Sequence, residues 1–289
     1  MIRALLLIAI GLVACYAAWL LTLWYFQERV VFQPPLRVPP SDVAARKISY
    51  QTSDGVQLFA YVVGDCTPHS AVIIAFHGNA DIARWFVPWA TAVARETNAC
   101  VVLPEYRGYD ALAGRPTYAT SAYDARAALE YARAELGAPR DNTVYFGHSL
   151  GSAIAAELAA AETPRVLVLQ SPLTSARAMA ERMITPGLSL FWEMISRVHF
   201  DTVMRVSSLD CPVWVSHGDP DPVVPTRMGR EVFAAAKHKG ELLIVPGAGH
   251  NDVAAVGGRA YWDWLRRAVA PAATSQPDRG APAEMPPAP

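Results

Sequence analysis

The sequence predicts an α/β fold: a mainly parallel eight-stranded sheet with helices on both faces and a small cap-like insertion, preceded by one transmembrane helix. Short β-branched runs alternate with longer segments of helical spacing, the pattern of a parallel sheet covered on both sides. Several runs, such as Val72-Ile73-Ile74-Ala75-Phe76 and Val166-Leu167-Val168-Leu169, are apolar throughout, as strands buried on both faces are. Finally, Ala4 to Phe26 contains no charged residue.

At about 1.5 Å per residue, a helix over that charge-free run reaches roughly 34 Å, enough for a hydrocarbon core of about 30 Å. Trp19, Trp24 and Tyr25 gather near its C-terminal end, where amphipathic rings favour the headgroup zone, and Gln27, Glu28 and Arg29 stop it. Residues 1–29 therefore read as a membrane anchor. A cleaved signal peptide would need a shorter apolar run. Leu12-Val13-Ala14-Cys15 is similar to a lipobox, which would make Cys15 a lipidated N-terminus, but Tyr16 to Phe26 would then persist without purpose. Either reading ends at a membrane. The side is open: a plain count of Arg29, Arg37, Arg46 and Lys47 against Arg3 favours a cytoplasmic domain, yet Glu28 and Asp42 nearly balance the nearest charges.

Residues 30–269 suit one α/β domain with a sizeable core. Its expected strands are Lys47-Gln51, Leu58-Val63, Ala71-Phe76, Ala99-Pro104, Thr143-Gly147, Val166-Gln170, Pro212-His217 and Glu241-Val245. The first two, joined across Ser53-Asp54-Gly55, suit an antiparallel hairpin. Helical spacing runs from Thr120 to Leu136, with Gly137 as a cap, from Ser149 to Ala161 and from Val253 to Val269. Residues 171–210 form a cap-like insertion rich in Met, Leu, Phe and Trp, including Met179, Met183, Leu188, Leu190, Phe191, Trp192 and Met194. The stretch 270–289, mostly Ala and Pro, cannot bury enough apolar area to offset the entropy of ordering and reads as a disordered tail.

With 25 basic residues scattered among 26 acidic ones, the chain carries no electrostatic footprint for nucleic acid. Cys66, Cys100 and Cys211 lie in the domain without Cys-x-x-Cys or zinc spacing, so no metal site is expected and the three read as small buried hydrophobes.

The sharpest chemical signal is Gly147-His148-Ser149-Leu150-Gly151, which follows a strand and opens a helix. An ordinary Gly-rich turn with a helix-capping serine shares the string. A nucleophile elbow adds a reason for it: a sharp turn exposes the hydroxyl while flanking glycines let backbones approach. Serine needs a base, and the base needs an orienting carboxylate. Both follow later strands. His217-Gly218-Asp219-Pro220-Asp221 succeeds one, and Gly247-Ala248-Gly249-His250-Asn251-Asp252 the next, at the sheet edge where open α/β sheets place ligands. His250 is the candidate base. The acid is Asp219 or Asp221, with motif placement favouring Asp221, while Asp252 suits a helix N-terminus. For the oxyanion, the backbone N–H groups of Asn79, in His77-Gly78-Asn79-Ala80, and Leu150 are the candidate donors.

Those motifs, with the lead-in Phe26-Gln27-Glu28-Arg29-Val30-Val31-Phe32-Gln33-Pro34 and the string Glu105-Tyr106-Arg107-Gly108-Tyr109, make the chain resemble the α/β-hydrolase superfamily. It is most similar to the small α/β-hydrolase-domain proteins with an N-terminal anchor. It departs from their pattern at Glu105, commonly aspartate, and Asp110, usually glycine. The resemblance implies hydrolysis of esters or thioesters, with lipids, lysolipids or acylated proteins as substrates and no cofactor. A serine aminopeptidase-like peptidase is the alternative, and a non-catalytic membrane-held protein a more distant one. The apolar insertion would line an acyl pocket or simply pack as a cap.

Overall fold

The computed structural model describes residues 2–39, 42–67, 69–138, 140–183, 192 and 196–270. Its strands are β1 Arg46–Gln51, β2 Gln57–Val63, β3 Val72–Phe76, β4 Cys100–Pro104, β5 Thr143–His148, β6 Val166–Gln170, β7 Val213–Gly218 and β8 Lys239–Val245. They form one sheet in the order β1-β2-β4-β3-β5-β6-β7-β8. The β1–β2 and β2–β4 pairs are antiparallel and the remaining neighbours parallel. Each expected strand is present, with ends displaced by two residues at most. The first hairpin turns through Gly55, whose φ of +85° suits only a residue without Cβ.

The described helices are α1 Ile2–Val31, α2 Ala83–Thr97, α3 Tyr118–Glu135, α4 Leu150–Ala161, α5 Ala176–Met183, α6 Thr202–Ser208, α7 Thr226–Ala235 and α8 Val253–Val269. The sequence pattern singles out α1, α3, α4 and α8 but not α2 or α7. Pro88 interrupts α2, and Gly229 sits inside α7 where a Cβ would lie 2.3 Å from the His217 ring. Local breakers thus mask helices that tertiary packing restores. Alternate residues of each central strand feed opposite layers: Ile74 and Phe76 pack with α3 and α4, Ile73 and Ala75 with α2 and α8.

The cysteines need a correction. Cys66 and Cys100 form a disulfide with Cα atoms 4.9 Å apart, whereas Cys211 is buried and free. The β2–β4 register, which sets Val63 opposite Val101, brings the pair together, and a spacing of 34 residues does not reveal that. Of the insertion, α5 and α6 are described and joined by a bridge between Ser175 and Asp201. Leu188, Leu190, Phe191 and Met194 lie outside the described residues, as do 271–289. Within α1 an 18-residue window has a mean hydropathy of 2.5 and none of it is buried, so the helix is long and apolar enough to cross a membrane.

Candidate active site

Strand β3 has β4 on one side and β5 on the other, so the winding reverses there and a crevice opens beyond the strand ends. The turn from β5 into α4 sits at that crevice. Ser149 occupies it with φ +53° and ψ −118°, a conformation held only because the surroundings over-determine it. Both flanking glycines are required by space. A Cβ on Gly147 would lie 2.3 Å from the Gly151 carbonyl oxygen, and one on Gly151 would lie 2.2 Å from that of Phe76. The serine is a turn residue without a capping hydrogen bond, so its hydroxyl is left for another partner.

That partner is His250. Ser149 Oγ lies 2.9 Å from His250 Nε2, and His250 Nδ1 lies 2.7 Å from Asp221 Oδ2. An ionised carboxylate only accepts, so Nδ1–H donates to Asp221 and Nε2 is left to accept from the serine. Asp221 Oδ1 accepts from the N–H groups of Val223 and Val224 at 2.8 and 2.9 Å. Burial opposes the charge of Asp221, but hydrogen bonds from His217 and His250 outweigh it and hold the carboxyl well below the usual carboxylate range. Asp219, the other acid in the motif, is an exposed turn residue whose carbonyl accepts from Thr226. Asp252 caps its own loop, accepting from Gly249 N–H at 2.6 Å.

Two histidines support this relay that motif reading left without a task. His217 Nε2 lies 2.9 Å from the Val224 carbonyl and 3.1 Å from Asp221 Oδ2, so its N–H steadies the acid. His148 Nε2–H donates to the His250 carbonyl at 3.1 Å, and Ser171 Oγ approaches the same oxygen at 3.4 Å. Burial, reinforced by the neighbouring His250, pushes the His148 pKa down to about 4, so it stays neutral beside the base. Their signal was their adjacency to motif residues, which alone assigns no role.

The candidate oxyanion donors share a cavity with Ser149. Neither Asn79 N–H nor Leu150 N–H donates to a protein acceptor among the described residues, and both residues line the cavity that Ser149 faces. The Asn79 side chain fixes its own loop, accepting from Gln33 N–H at 2.8 Å and Tyr109 O–H at 3.0 Å. Beneath it, His77 Nε2 meets Glu105 Oε1 at 2.9 Å, and Glu105 Oε2 accepts from the first N–H of α2. Burial opposes a charge on His77, yet Glu105 prevails and raises its pKa. The departure at Glu105 therefore has an anchoring duty. The other departure, Asp110, takes φ +40° where glycine would be unstrained and ion-pairs with Arg84.

A cavity of about 180 Å³ opens from Ser149 and Leu150. Its floor is apolar, with Leu173, Val198 and Phe200, and Met179 and Trp192 of the insertion reach it. Among the described residues, no three His, Cys, Asp or Glu side chains are grouped to hold a metal ion. Ser149, aligned with His250 and Asp221 and sharing an apolar cavity with Asn79 and Leu150, has around it the parts for acyl transfer.

A family model described as serine aminopeptidase, S33, matches residues 67–203. A Mycobacterium tuberculosis protein described as uncharacterized is 33% identical over 267 residues, covering 89% of this chain and 92% of that protein. Human alpha/beta hydrolase domain-containing protein 17B is 29% identical over 218 residues, covering 75% of this chain and 71% of that one. An esterase structure from Pyrococcus furiosus matches with a TM-score of 0.63 at 18% identity, over 82% of this chain and 100% of that chain. A Rhodococcus esterase matches at 0.59 and 17%, over 78% and 98%. At those identities the structural likeness speaks for the fold.

Proposed function

The chain belongs to the α/β-hydrolase superfamily, and on that footing we propose that it is a membrane-held serine hydrolase of carboxylic esters or thioesters, of lipid, lysolipid or acyl-protein type. In this reading, α1 anchors a hydrolase domain over residues 30–269, with 171–210 as its cap. The observation that carries it is the unbroken relay from Asp221 through His250 to Ser149, ending at an apolar cavity.

Ser149 Oγ bonds to the substrate carbonyl carbon as its proton passes to His250 Nε2. The N–H groups of Asn79 and Leu150 hold the resulting oxyanion. On collapse, the C–O or C–S bond to the leaving group breaks and His250 returns the proton to the departing alcohol or thiol. Water, giving a proton to His250, then adds to the Ser149 ester. Carboxylic acid and free serine follow, and the cycle calls for no cofactor.

The aminopeptidase-like reading draws support from the description of the matching family model. Such an enzyme needs a carboxylate to hold the substrate ammonium, and the described cavity lining supplies none. A non-catalytic role leaves the Ser149–His250–Asp221 alignment without a reason. The Cys66–Cys100 disulfide supports a domain on the oxidising side of the membrane, where such bonds persist, over the cytoplasmic side that a plain count of basic residues favours.

A fluorophosphonate probe should label the full-length wild type and not Ser149→Ala. Hydrolysis of p-nitrophenyl esters should fall by about 10⁴ to 10⁶ in that variant. A folded wild type that takes no label sinks the proposal. Equal rates on acetate and decanoate esters would remove the acyl pocket alone.

A further inference from the structure

The membrane helix does not stop at the membrane. α1 is one continuous helix of 30 residues, about 45 Å at about 1.5 Å per residue. A hydrocarbon core of about 30 Å uses roughly twenty of them, leaving three turns beyond it. Those turns are seated on the domain. Phe32, directly after the helix, is buried in the core, and Glu28 is only 8% exposed. Arg197, in the insertion, grips them: its N–H donates to Gln27 Oε1 at 2.6 Å, and its guanidinium lies 3.4 Å from Glu28 Oε2 and 4.7 Å from the Trp24 ring centre.

The face so held is a wall of the catalytic cavity. Leu23, Trp24, Gln27, Val30 and Val31 recur at helical spacing and line it together with Met179, Trp192 and Ser196 of the insertion. Leu23 and Val31 are eight residues apart, so the wall runs about 12 Å along the helix axis. Its inner end is next to the site, since Gln33 N–H is bound to the Asn79 side chain. Its outer end, Leu23 and Trp24, belongs to the charge-free run that ends at Phe26.

We propose that α1 is a working wall of the acyl site, and that the substrate is a long-chain ester or thioester resident in the bilayer, its chain sliding along the Leu23–Val31 face to Ser149. This rests on the acyl-transfer reading of Ser149. The physical reason is desolvation. Each CH₂ moved from bilayer to water costs about 0.8 kcal/mol, so a path continuous with the leaflet spares a long chain that barrier. A helix that only tethered the domain would be joined to it by a flexible linker and would have no reason to present an apolar stripe to the catalytic serine.

Full-length protein is reconstituted in phosphatidylcholine vesicles, with p-nitrophenyl palmitate dissolved either in those vesicles or in separate protein-free ones. Palmitate sharing the protein's bilayer should react at least about tenfold faster than palmitate in separate vesicles, because its transfer through water is slow. Soluble p-nitrophenyl butyrate should react alike in both preparations. Val30→Trp and Leu23→Trp, which fill the wall, should each lower the palmitate-to-butyrate rate ratio by about tenfold or more. Equal palmitate rates in the two preparations, or a wild-type ratio in variants that still take the fluorophosphonate label, overturns the inference. If Val30→Trp fails to label, it has lost its fold, and Leu23→Trp, farther from Ser149, decides. A wild type that takes no label brings down the hydrolase reading and this inference together, whereas a labelled wild type whose labelled variants keep its ratio brings down this one alone.

Discussion

Ser149 carries a positive φ without being glycine, and the strain persists because β5, α4 and the β3 end leave no room for another backbone path. In the proposed reaction, the residues around it divide into those that touch the reacting atoms and those that hold them in place. Asp221 belongs to the second kind. Replacing it with asparagine keeps the shape but removes the charge that fixes the His250 tautomer, so kcat should fall by about 10³ to 10⁴ with KM little changed, as read from ester kinetics. His148 makes a different prediction. Its pKa falls from an ordinary 6.5 to about 4 on folding, burial being the main cause. Below pH 6.5 the unfolded chain therefore takes up a proton that the folded one refuses, and stability declines as pH falls until about 4, where the folded state is protonated too. The loss is on the order of 3 kcal/mol. Urea melts across that window should show this slope for the wild type and a flatter one for His148→Gln.

At the scale of elements, the site depends on loops tied to one another by buried polar groups. Arg107 is the main tie. Its guanidinium meets Asp54 in the β1–β2 turn at 2.6 Å and Asp124 on α3 at 2.7 Å, while its own loop supplies Tyr106 and Tyr109 to the Asn79 segment. Burial raises the Asp124 pKa and the guanidinium works against it, so removing the cation leaves an uncompensated carboxyl in the core. Arg107→Met should cost about 3 to 5 kcal/mol in urea unfolding. Rescue by a second Asp124→Leu change would identify the stranded carboxyl as the cause. The sequence shows the Tyr-Arg-Gly-Tyr string but not its duty, because Asp54, Asp124 and Asn79 come from three separate elements.

For the molecule as a whole, the disulfide and the anchor are linked features. Cys66 and Cys100 should resist alkylation until reduced, and reduced and intact protein should differ by two alkyl groups in mass. Cys66→Ser should lower stability by about 3 to 4 kcal/mol, the loop entropy released by opening a closure of 34 residues. Modification of both thiols in the native, unreduced protein would contradict the pairing and remove the support it lends to the oxidising side of the membrane.

The positions of the strands along the chain and the elbow, base and acid motifs are legible in the sequence because each is local: a run of apolar residues, a glycine beside a serine, a histidine after a strand. Motif placement favours Asp221 over Asp219, and the tertiary structure adds the reason: one is buried against two histidines and the other faces solvent. The disulfide depends on β2–β4 register, and the supporting roles of His148, His217 and Arg107 on neighbours distant in the chain. Composition marks α1 as membrane-competent, but only packing sets its last turns against the cavity that Ser149 lines. Periodicity records which way a side chain faces on its own element; what it faces is fixed by how the elements are assembled.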